Sequence, residues 1–277
     1  MKNMLLAYTN SYHGFSLEEA LADIAAAGFK YVELAAVKGW TEHVRADMRE
    51  DEILGVKNLL ARFGLAAHSL SAPCNLADKG RLEDFKDSIE LAHRLGCKYI
   101  ITTTGEAHFG EEETAGNDVL VQNIKSLIPV LEKYDIVLAL EIHGDYGTGQ
   151  SLYAITQEVA SRHVGINYDT ANVVMYGGIL PTVDIKTCVS DVKYVHIKDK
   201  RGSQKEWNFP GLGNGDLPLR EFIKFMYDNG YDGPYSVEIE YEEEFCMREK
   251  DKPGDIEIAR KEMVDSFRFL SSVFGEE

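Results

Sequence analysis

The feature that most constrains this chain is an alternation, repeated eight times, of short β-rich runs with longer amphipathic segments. Strand-then-helix order predicts parallel strands that are joined by right-handed crossovers. We therefore expect an α/β fold built on one parallel sheet. The predicted strands are Met4–Thr9, Tyr31–Leu34, Ala66–Ser71, Tyr99–Thr104, Val137–Ile142, Val164–Tyr168, Tyr194–Ile197 and Tyr235–Ile239.

The helical segments carry recognisable boundaries. In the first one, Leu17–Ala27, Ser16 is placed as an N-cap, Glu19 stands three residues on, and Gly28 follows the last helical residue. A closing helix is predicted over roughly Ile256–Phe274. The signals at both ends of the chain therefore agree with the strand pattern.

Length decides between the two common parallel α/β architectures. The chain has 277 residues, and a closed (β/α)8 TIM barrel typically needs ~250. No G-x-G-x-x-G follows the first strand, and no linker divides the chain. We therefore expect one barrel domain over residues 1–277. The longest irregular stretch, Asp199–Leu217, contains Gly211, Gly213 and Gly215, which is consistent with a functional loop or lid.

Charge and cysteine usage narrow the function classes. The formal net charge of −17 disfavours nucleic acid and anionic membrane surfaces as partners. The four cysteines form no C-x-x-C pair and are interpreted as reduced thiols. No apolar run approaches the ~18 residues of a membrane span, and the apolar stretch in MKNMLLAYTN is too short for a signal peptide. We expect a cytoplasmic protein that binds a small molecule.

Polar residues interrupt or end the late strands, which in a parallel sheet should be apolar. Glu141 ends the strand in IVLALEIH, and a buried carboxylate there must pair, protonate or bind a metal. The alternative, exposure to solvent at the strand end, is less favoured because Ile142 continues the apolar run. Asp169, in NYDTAN, is equally suited to capping a helix and to ligating a metal.

Two further polar residues lie in the last two strands. His196 stands between apolar neighbours in YVHIKD, although lone histidines in strands are more often structural. Glu238 interrupts the strand in YSVEIEYEEE and shares its face with Glu240, so either carboxylate could be the ligand. The residues beyond, 242–244, are interpreted as a solvated charge run.

The combination is more informative than any single residue. The carboxyl ends of the strands in a barrel meet at one face, where barrel enzymes keep their chemistry. Three oxygen donors and one imidazole there suit Mn²⁺, Mg²⁺ or Co²⁺, of which Mn²⁺ is favoured. The sequence therefore predicts a divalent metal site at this face of the barrel.

These motifs also resemble a known family. The segments SLEEALADIAAAGFKYVEL, LALEIHG, NYDTANV, YVHIKD, LGNGDLPL and GYDGPYSVEIE, in this order, resemble the xylose-isomerase-like barrels. That family of sugar isomerases and epimerases includes ketose 3-epimerases, hydroxypyruvate isomerase and inosose dehydratase. The resemblance covers nearly the whole chain, and the order and spacing of its motifs are more specific than any one motif.

The resemblance implies roles for particular residues. It implies that Glu141, Asp169, His196 and Glu238 bind the metal, and it prefers Glu238 to Glu240. It also implies that Glu141 and Glu238 form the acid/base pair. One position departs from the pattern: many ketose epimerases carry His three residues after the strand-six Asp, where this chain has Asn172. That departure puts a free-ketose 3-epimerase in doubt.

The function expected from these observations is a metal-dependent isomerase or epimerase that acts on a keto-sugar through an enediolate. The alternative is a dehydratase or lyase that acts on an inosose or a 3-keto-glycoside at the same metal site. All of these reactions share the removal of a proton next to a carbonyl. The sequence leaves open the sugar, its phosphorylation and the oligomeric state, with a homo-oligomer among the alternatives.

Further candidates for binding substrate are polar or aromatic residues near the predicted strand ends. Each has an alternative role in packing, ion pairing or contact with solvent. The substrate-binding candidates are His68, Glu106, Asn172, Lys198 and Trp207. Others considered near the pocket are His13, Trp40 and His143, the last as a residue that orients Glu141 or caps its loop.

The two rival functions for this fold are a DNA endonuclease and a non-catalytic binding barrel. Apurinic endonucleases share this type of barrel, but the charge of −17 and the four-residue ligand set disfavour a DNA enzyme with more metals. A non-catalytic binding barrel with a structural metal is the second rival. The exchange of substrate C–H protons with solvent distinguishes a binder from an enzyme.

Overall fold

Eight parallel strands close into a barrel in the computed structural model, which describes residues 3–105, 116–252 and 254–275. Neighbours in sequence pair around the ring, and the first strand closes it by pairing with the last. The strands are β1 Leu5–Tyr8, β2 Tyr31–Ala35, β3 Ala66–Ser71, β4 Tyr99–Thr102, β5 Val137–Glu141, β6 Val164–Asp169, β7 Val192–Ile197 and β8 Tyr235–Val237. The predicted barrel class is therefore confirmed, with strand ends shifted by up to two residues.

Helices lie between the strands and cover the outside of the barrel. They are α1 Leu17–Ala27, α2 Glu50–Phe63, α3 Leu82–Leu95, α4 Asn117–Tyr134, α5 Gly149–Val159, α6 Asn172–Met175, α7 Pro181–Asp184, α8 Leu219–Asp228, α9 Glu243–Met247 and α10 Asp255–Phe274. Short 3-10 turns occupy Thr9–Tyr12, Lys79–Arg81, Ile185–Thr187 and Val189–Asp191. None of the helices in the described ranges is both long and apolar enough to cross a membrane.

The first helix illustrates how local signals set its bounds. Ser16 and Glu19 form the predicted capping box, in which each side chain accepts a hydrogen bond from the backbone N–H of the other residue. Gly28 ends α1 with φ +118, and a Cβ there would lie 2.5 Å from Phe267 of α10. Glycine is thus required for the turn and for the packing of α1 against α10.

Two register shifts adjust which side chains face one another. Between β2 and β3, Val32 pairs with Ala67 and Glu33 with Ser69, so His68 is an extra residue. Between β6 and β7, Ile166 pairs with Val192 and the next pair is Asn167 with Tyr194. Such bulges commonly re-aim side chains near sites.

A small apolar cluster separates from the main core and fills the barrel interior. It contains Leu6, Ile101, Ala139 and Tyr194, with Tyr31 and Tyr99 packed against it. Because Tyr194 precedes His196 by two residues on β7, this cluster packs the interior on the amino-terminal side of the polar site. The barrel is therefore a filled scaffold.

A two-stranded antiparallel ribbon covers part of the barrel mouth. It pairs Asn208–Phe209, in the loop after β7, with Tyr241–Glu242, after β8. Residues 242–244 are exposed, as expected for a solvated charge run. The ribbon therefore links the loop after β7 to the segment after β8.

Candidate metal centre and active site

The four polar residues singled out by the sequence lie at one end of four consecutive strands. Glu141 and Asp169 are the last residues of β5 and β6, His196 is the penultimate residue of β7, and Glu238 directly follows β8. All four are buried, and one donor atom from each lies within 4.8 Å of the other three. The structure thus brings the predicted set together in a single cluster.

Asp169 shows why its two sequence interpretations are compatible. Its Oδ1 accepts hydrogen bonds from the backbone N–H groups of Ala171 (2.8 Å) and Asn172 (2.7 Å), at the start of α6. Its Oδ2 is buried and accepts no hydrogen bond from any described residue. One oxygen of Asp169 therefore caps the turn that leads into α6. The other oxygen is available to a different partner.

Glu238 divides its two oxygens in the same way. Its Oε1 accepts a hydrogen bond from Asn10 Nδ2 at 3.3 Å. Its Oε2 is buried without a hydrogen bond from the described part of the chain, and lies 3.4 Å from both His196 Nδ1 and Lys198 Nζ. Two such oxygens beside an imidazole fit a divalent cation with oxygen and nitrogen ligands.

The imidazole of His196 is held between carboxylates on both sides. Its Nε2 lies 2.9 Å and 3.1 Å from the two oxygens of Glu33. Its Nδ1 faces the cluster, 3.4 Å from Glu141 Oε1 and 3.4 Å from Glu238 Oε2. The ring nitrogen that faces the donor set is therefore Nδ1.

Lys198 and Glu240 form a buried ion pair next to the cluster. Lys198 is 2 % exposed, and its Nζ donates to Glu240 Oε2 and lies 4.5 Å from the centroid of the Phe209 ring. Glu240 is therefore engaged by Lys198, whereas Glu238 belongs to the donor set. The alternative that the sequence left open between the two glutamates is resolved in favour of Glu238 as the member of the cluster.

Acidic side chains outnumber basic ones in and around the four-residue cluster. Five carboxyl groups, those of Glu33, Glu141, Asp169, Glu238 and Glu240, lie around the two basic side chains of His196 and Lys198. A bound divalent cation would offset much of the remaining negative charge. The composition of the cluster therefore fits the predicted metal.

The pKa values reflect the same crowding. Burial raises the pKa of the Glu141 carboxyl and raises the pKa of Asp169 to about 8. Burial also acts to raise the pKa of Glu238, but Lys198 and His196 outweigh it, so that this pKa is lowered. Burial opposes the charged imidazolium of His196, yet the carboxylates around it raise its pKa well above the ordinary value.

A cavity of about 880 Å³ opens onto the cluster. Glu141 and Glu238 lie on its wall, as do three of the residues predicted to bind substrate, Asn172, Lys198 and Trp207. Its volume lies in the upper part of the usual range for small-molecule sites. Glu106, a further candidate, lies outside the described residues.

The structure places His68 apart from the other candidates, in agreement with its alternative role in packing. It is absent from the described residues that line the cavity, and its ring packs against Tyr31 (6.1 Å) and Tyr99 (5.4 Å). Those tyrosines are the first residues of β2 and β4, at the amino-terminal end of the barrel. His68 is the extra residue of the β3 bulge, and it therefore contributes to packing away from the cluster.

The remaining candidates have contacts of their own. His143 lines the cavity, and its Nε2 lies 3.1 Å from the Tyr176 hydroxyl. His13 stacks on Trp40 at 3.7 Å, and Trp40 lines the cavity. The predicted contribution of Trp40 to the shape of the pocket thus agrees with its position.

One carboxylate organises the loop after β7, which the sequence predicted to be a functional loop or lid. Asp199 accepts hydrogen bonds from the backbone N–H groups of Lys200, Gly213, Gly215 and Leu217, at 2.9–3.2 Å. A Cβ on Gly215 would lie 2.2 Å from Asp199 Oδ1. The glycine there permits close approach to this carboxylate, and the loop is pinned to the barrel.

Sequence reasoning missed several residues that touch the donor set, among them three from the first two barrel strands and the turn after β1. Glu33 contacts His196, Asn10 contacts Glu238, and Tyr8 stacks on the His196 ring at 5.3 Å. The signal for Glu33 was present, because YVEL places a carboxylate within an apolar strand. Nothing comparable marks Asn10 or Tyr8 in the sequence.

Comparison with known proteins agrees with this geometry. Residues 21–272 match the family model described as xylose isomerase-like TIM barrel. The chain belongs to the xylose isomerase-like TIM barrel family. This match confirms the expected resemblance. The proteins to which this chain is similar include enzymes.

Individual relatives are distant in sequence. An inosose dehydratase from Clostridium botulinum (strain Eklund 17B / Type B) is 23 % identical over 262 residues, which cover 81 % of this chain and 82 % of that protein. A solved D-psicose 3-epimerase in the presence of D-fructose has a TM-score of 0.78 at 16 % identity, covering 98 % of this chain and 99 % of the other. A xylose isomerase-like barrel from Mycobacterium smegmatis, in complex with magnesium, has a TM-score of 0.75 at 18 % identity and covers 98 % and 97 %.

Proposed function

We propose that this protein is a divalent-metal-dependent sugar isomerase or epimerase that acts on a keto-sugar. The observation that carries the proposal is the cluster of four buried donors, two of them with an oxygen that has no hydrogen bond from the described residues, at the wall of a cavity of about 880 Å³. Glu141, Asp169, His196 and Glu238 would hold the metal. Mn²⁺ is favoured, with Mg²⁺ and Co²⁺ as alternatives for this oxygen-rich set.

A metal held by these four residues would supply Lewis-acid chemistry at a substrate carbonyl. The protein's own part is proton transfer by Glu141 and Glu238. These residues reach the cluster from β5 and from the end of β8, with two strands between them. One of the two side chains, as an ionised carboxylate, removes the proton next to the carbonyl, and the other, as a protonated carboxyl, delivers its own proton to the enediolate.

Each of these glutamates is oriented by an asparagine. Asn172 Nδ2 donates to Glu141 Oε1 at 3.2 Å, and Asn10 Nδ2 donates to Glu238 Oε1 at 3.3 Å. Holding one oxygen of each carboxylate reduces the orientations that the other oxygen can take, which favours a preorganised acid/base pair. Return of the proton from the opposite face gives an epimer, and return to the neighbouring carbon gives an aldose–ketose shift.

The substrate is proposed to be a carbohydrate. The cavity combines polar groups that can bind hydroxyls, among them Lys198, with aromatic side chains such as Trp207 and Trp40. Similarity to a psicose epimerase supports the same class of ligand. Cytoplasmic residence is part of the proposal and is supported by the four cysteines, all free thiols in the structure.

A second candidate function is dehydration or elimination on an inosose or a 3-keto-glycoside. It is favoured by Asn172, which takes the place of a proton-transferring histidine and is hydrogen-bonded to Glu141. The similarity to inosose dehydratases supports the same alternative. In this reaction the first proton abstraction is shared, and a group on the β-carbon then leaves.

The test is solvent exchange of substrate protons. Mg²⁺-loaded protein in D₂O is incubated with ketoses, inososes and 3-keto-glycosides and followed by proton NMR. We expect deuterium at the carbon next to the carbonyl, with an epimer or isomer as product; an alkene product would select the second candidate. Absence of exchange from every substrate, with metal binding verified, would overturn both.

Two substitutions extend the test to the proposed pair. Glu141→Gln and Glu238→Gln each retain the side-chain shape but not the acid/base group, so each should lower the exchange rate by at least about 100-fold. Glu243→Gln, in the exposed charge run, is the matched control and should exchange at the wild-type rate. Full exchange in both site variants would contradict the assigned roles.

A further inference from the structure

Glu33 lies on β2 and is completely buried, yet it is not one of the four donors of the candidate metal centre. Both of its oxygens face His196 Nε2, at 2.9 Å and 3.1 Å. This nitrogen is on the opposite side of the ring from Nδ1, which faces Glu141 and Glu238. Glu33 therefore contacts the imidazole from behind the cluster.

A second set of contacts holds Glu33 in this position. The Tyr194 hydroxyl donates to Glu33 Oε2 at 2.8 Å and lies 2.6 Å from the Ser69 hydroxyl. The register shift of β3 places Ser69 opposite Glu33. A buried carboxylate is costly unless it is hydrogen-bonded, so the phenol and the imidazole together account for its burial.

The stacking of Tyr8 completes the support of the ring. Its ring centroid lies 5.3 Å from that of His196, with an interplanar angle of 21°. The imidazole is thus packed on one face and hydrogen-bonded at Nε2. The remaining polar atom, Nδ1, is the one directed at the donor set.

We propose that Glu33 is a positioning residue for the metal ligand His196, an inference that rests on the proposed metal site. Nε2–H donates a hydrogen bond to Glu33, which fixes the ring orientation and leaves the Nδ1 lone pair for the metal. A carboxylate behind a ligating histidine also makes the ligating nitrogen more basic, and loss of such a partner typically costs 10–100-fold in metal affinity. Glu33 itself touches neither the metal nor the substrate in this assignment.

The test compares Mn²⁺ affinity in wild type and in Glu33→Gln, by titration of free Mn²⁺ with electron paramagnetic resonance. The glutamine amide can still accept a hydrogen bond from Nε2 but carries no charge, so we expect the Kd to rise by about 10-fold. The matched control is Glu243→Gln, the same substitution at an exposed carboxylate, and it should leave the Kd unchanged. The melting temperature of each metal-free variant monitors folding.

A second variant covers the case in which Glu33→Gln does not fold. Tyr194→Phe removes one hydrogen bond to Glu33 but keeps the charge of Glu33. The Kd should therefore rise less, by about threefold, which is near the lower limit of the free energy that one hydrogen bond contributes. An unchanged Kd in the folded variants would overturn the inference. An equal rise in Glu243→Gln would also overturn it, because the loss of a negative charge anywhere on the protein would then be responsible.

The ring proton gives a direct measurement. In the Mg²⁺-loaded protein, nitrogen-15 NMR should find His196 protonated at Nε2, and a proton at Nδ1 would overturn the assignment. These measurements are independent of turnover. Metal binding that depends on Glu33, without proton exchange in any sugar, would refute the proposed reaction and leave the role of Glu33 intact.

Discussion

A single carboxylate can satisfy two structural demands at once, as Asp169 illustrates. Its Oδ1 accepts hydrogen bonds from two backbone N–H groups, while Oδ2 is buried and accepts none from the described residues. The sequence weighed helix capping against metal ligation as alternatives, but the geometry of a carboxylate allows both. Binding and local backbone structure are therefore linked at this residue.

At the same scale, His13 yields a prediction for pH dependence. Burial, with a smaller contribution from Lys250, lowers its pKa from 6.5 to about 4. Between these values the unfolded chain binds a proton that the folded chain does not, so stability falls as the pH falls from about 6.5 to about 4. Because the His13 side chain is only partly buried and solvent screens its charge, we expect only ~1–2 kcal/mol from it.

The measurement is an NMR titration of the His13 ring together with urea unfolding at several pH values. The His13→Asn variant provides the comparison and should lose less stability than wild type across this interval. A His13 titration midpoint near 6.5 would contradict the prediction.

At the scale of elements, the loop after β7 is organised by one carboxylate. Asp199 binds four backbone N–H groups of the loop, and the ribbon pairs Asn208–Phe209 with Tyr241–Glu242. Its glycines suggested flexibility in the sequence, since glycine is permissive in any loop. Only the contacts reveal that Gly215 is required for close approach to Asp199.

This arrangement predicts opposite effects for two alanine substitutions. In Gly215→Ala the new Cβ would lie 2.2 Å from Asp199 Oδ1, a fixed atom, so the free energy of unfolding should fall by about 1–3 kcal/mol. In Gly55→Ala, inside α2, the Cβ meets nothing within 4 Å, and a gain of about 0.5–1 kcal/mol is expected. Chemical denaturation measures both, and a neutral Gly215→Ala would show that the loop can yield.

At the scale of the whole molecule, the candidate centre should couple metal binding to stability. A ligand that binds only the folded state at 100 times its Kd adds about 2.7 kcal/mol. For a chain of this size, that corresponds to a rise in Tm of about 5–10 °C. The buried excess of carboxylates in the metal-free protein gives this effect its physical cause.

Differential scanning calorimetry with and without Mn²⁺ measures the shift. Asp169→Asn should remove most of it, because the cluster loses one charged donor. Equal shifts in wild type and in this variant would place the stabilising ion elsewhere.

The sequence by itself determined the eight strands, their parallel order and four buried polar residues at their ends. These properties are local: periodicity shows which side chains are buried, and a charge within an apolar strand requires a partner. The same reasoning applied to YVEL would have marked Glu33, although not its partner. Family resemblance then supplied the choice of Glu238 over Glu240, which the pairing of Glu240 with Lys198 now explains.

Only the tertiary structure decided which distant residues meet. Closure of the ring through β1 and β8 brings Asn10 to Glu238, 228 residues away, and the barrel brings Glu33 to His196, 163 residues away. Strand register likewise sends His68 to the packed end of the barrel. Periodicity specifies the face on which a side chain lies, whereas its neighbours depend on closure and register, which no local stretch of sequence encodes.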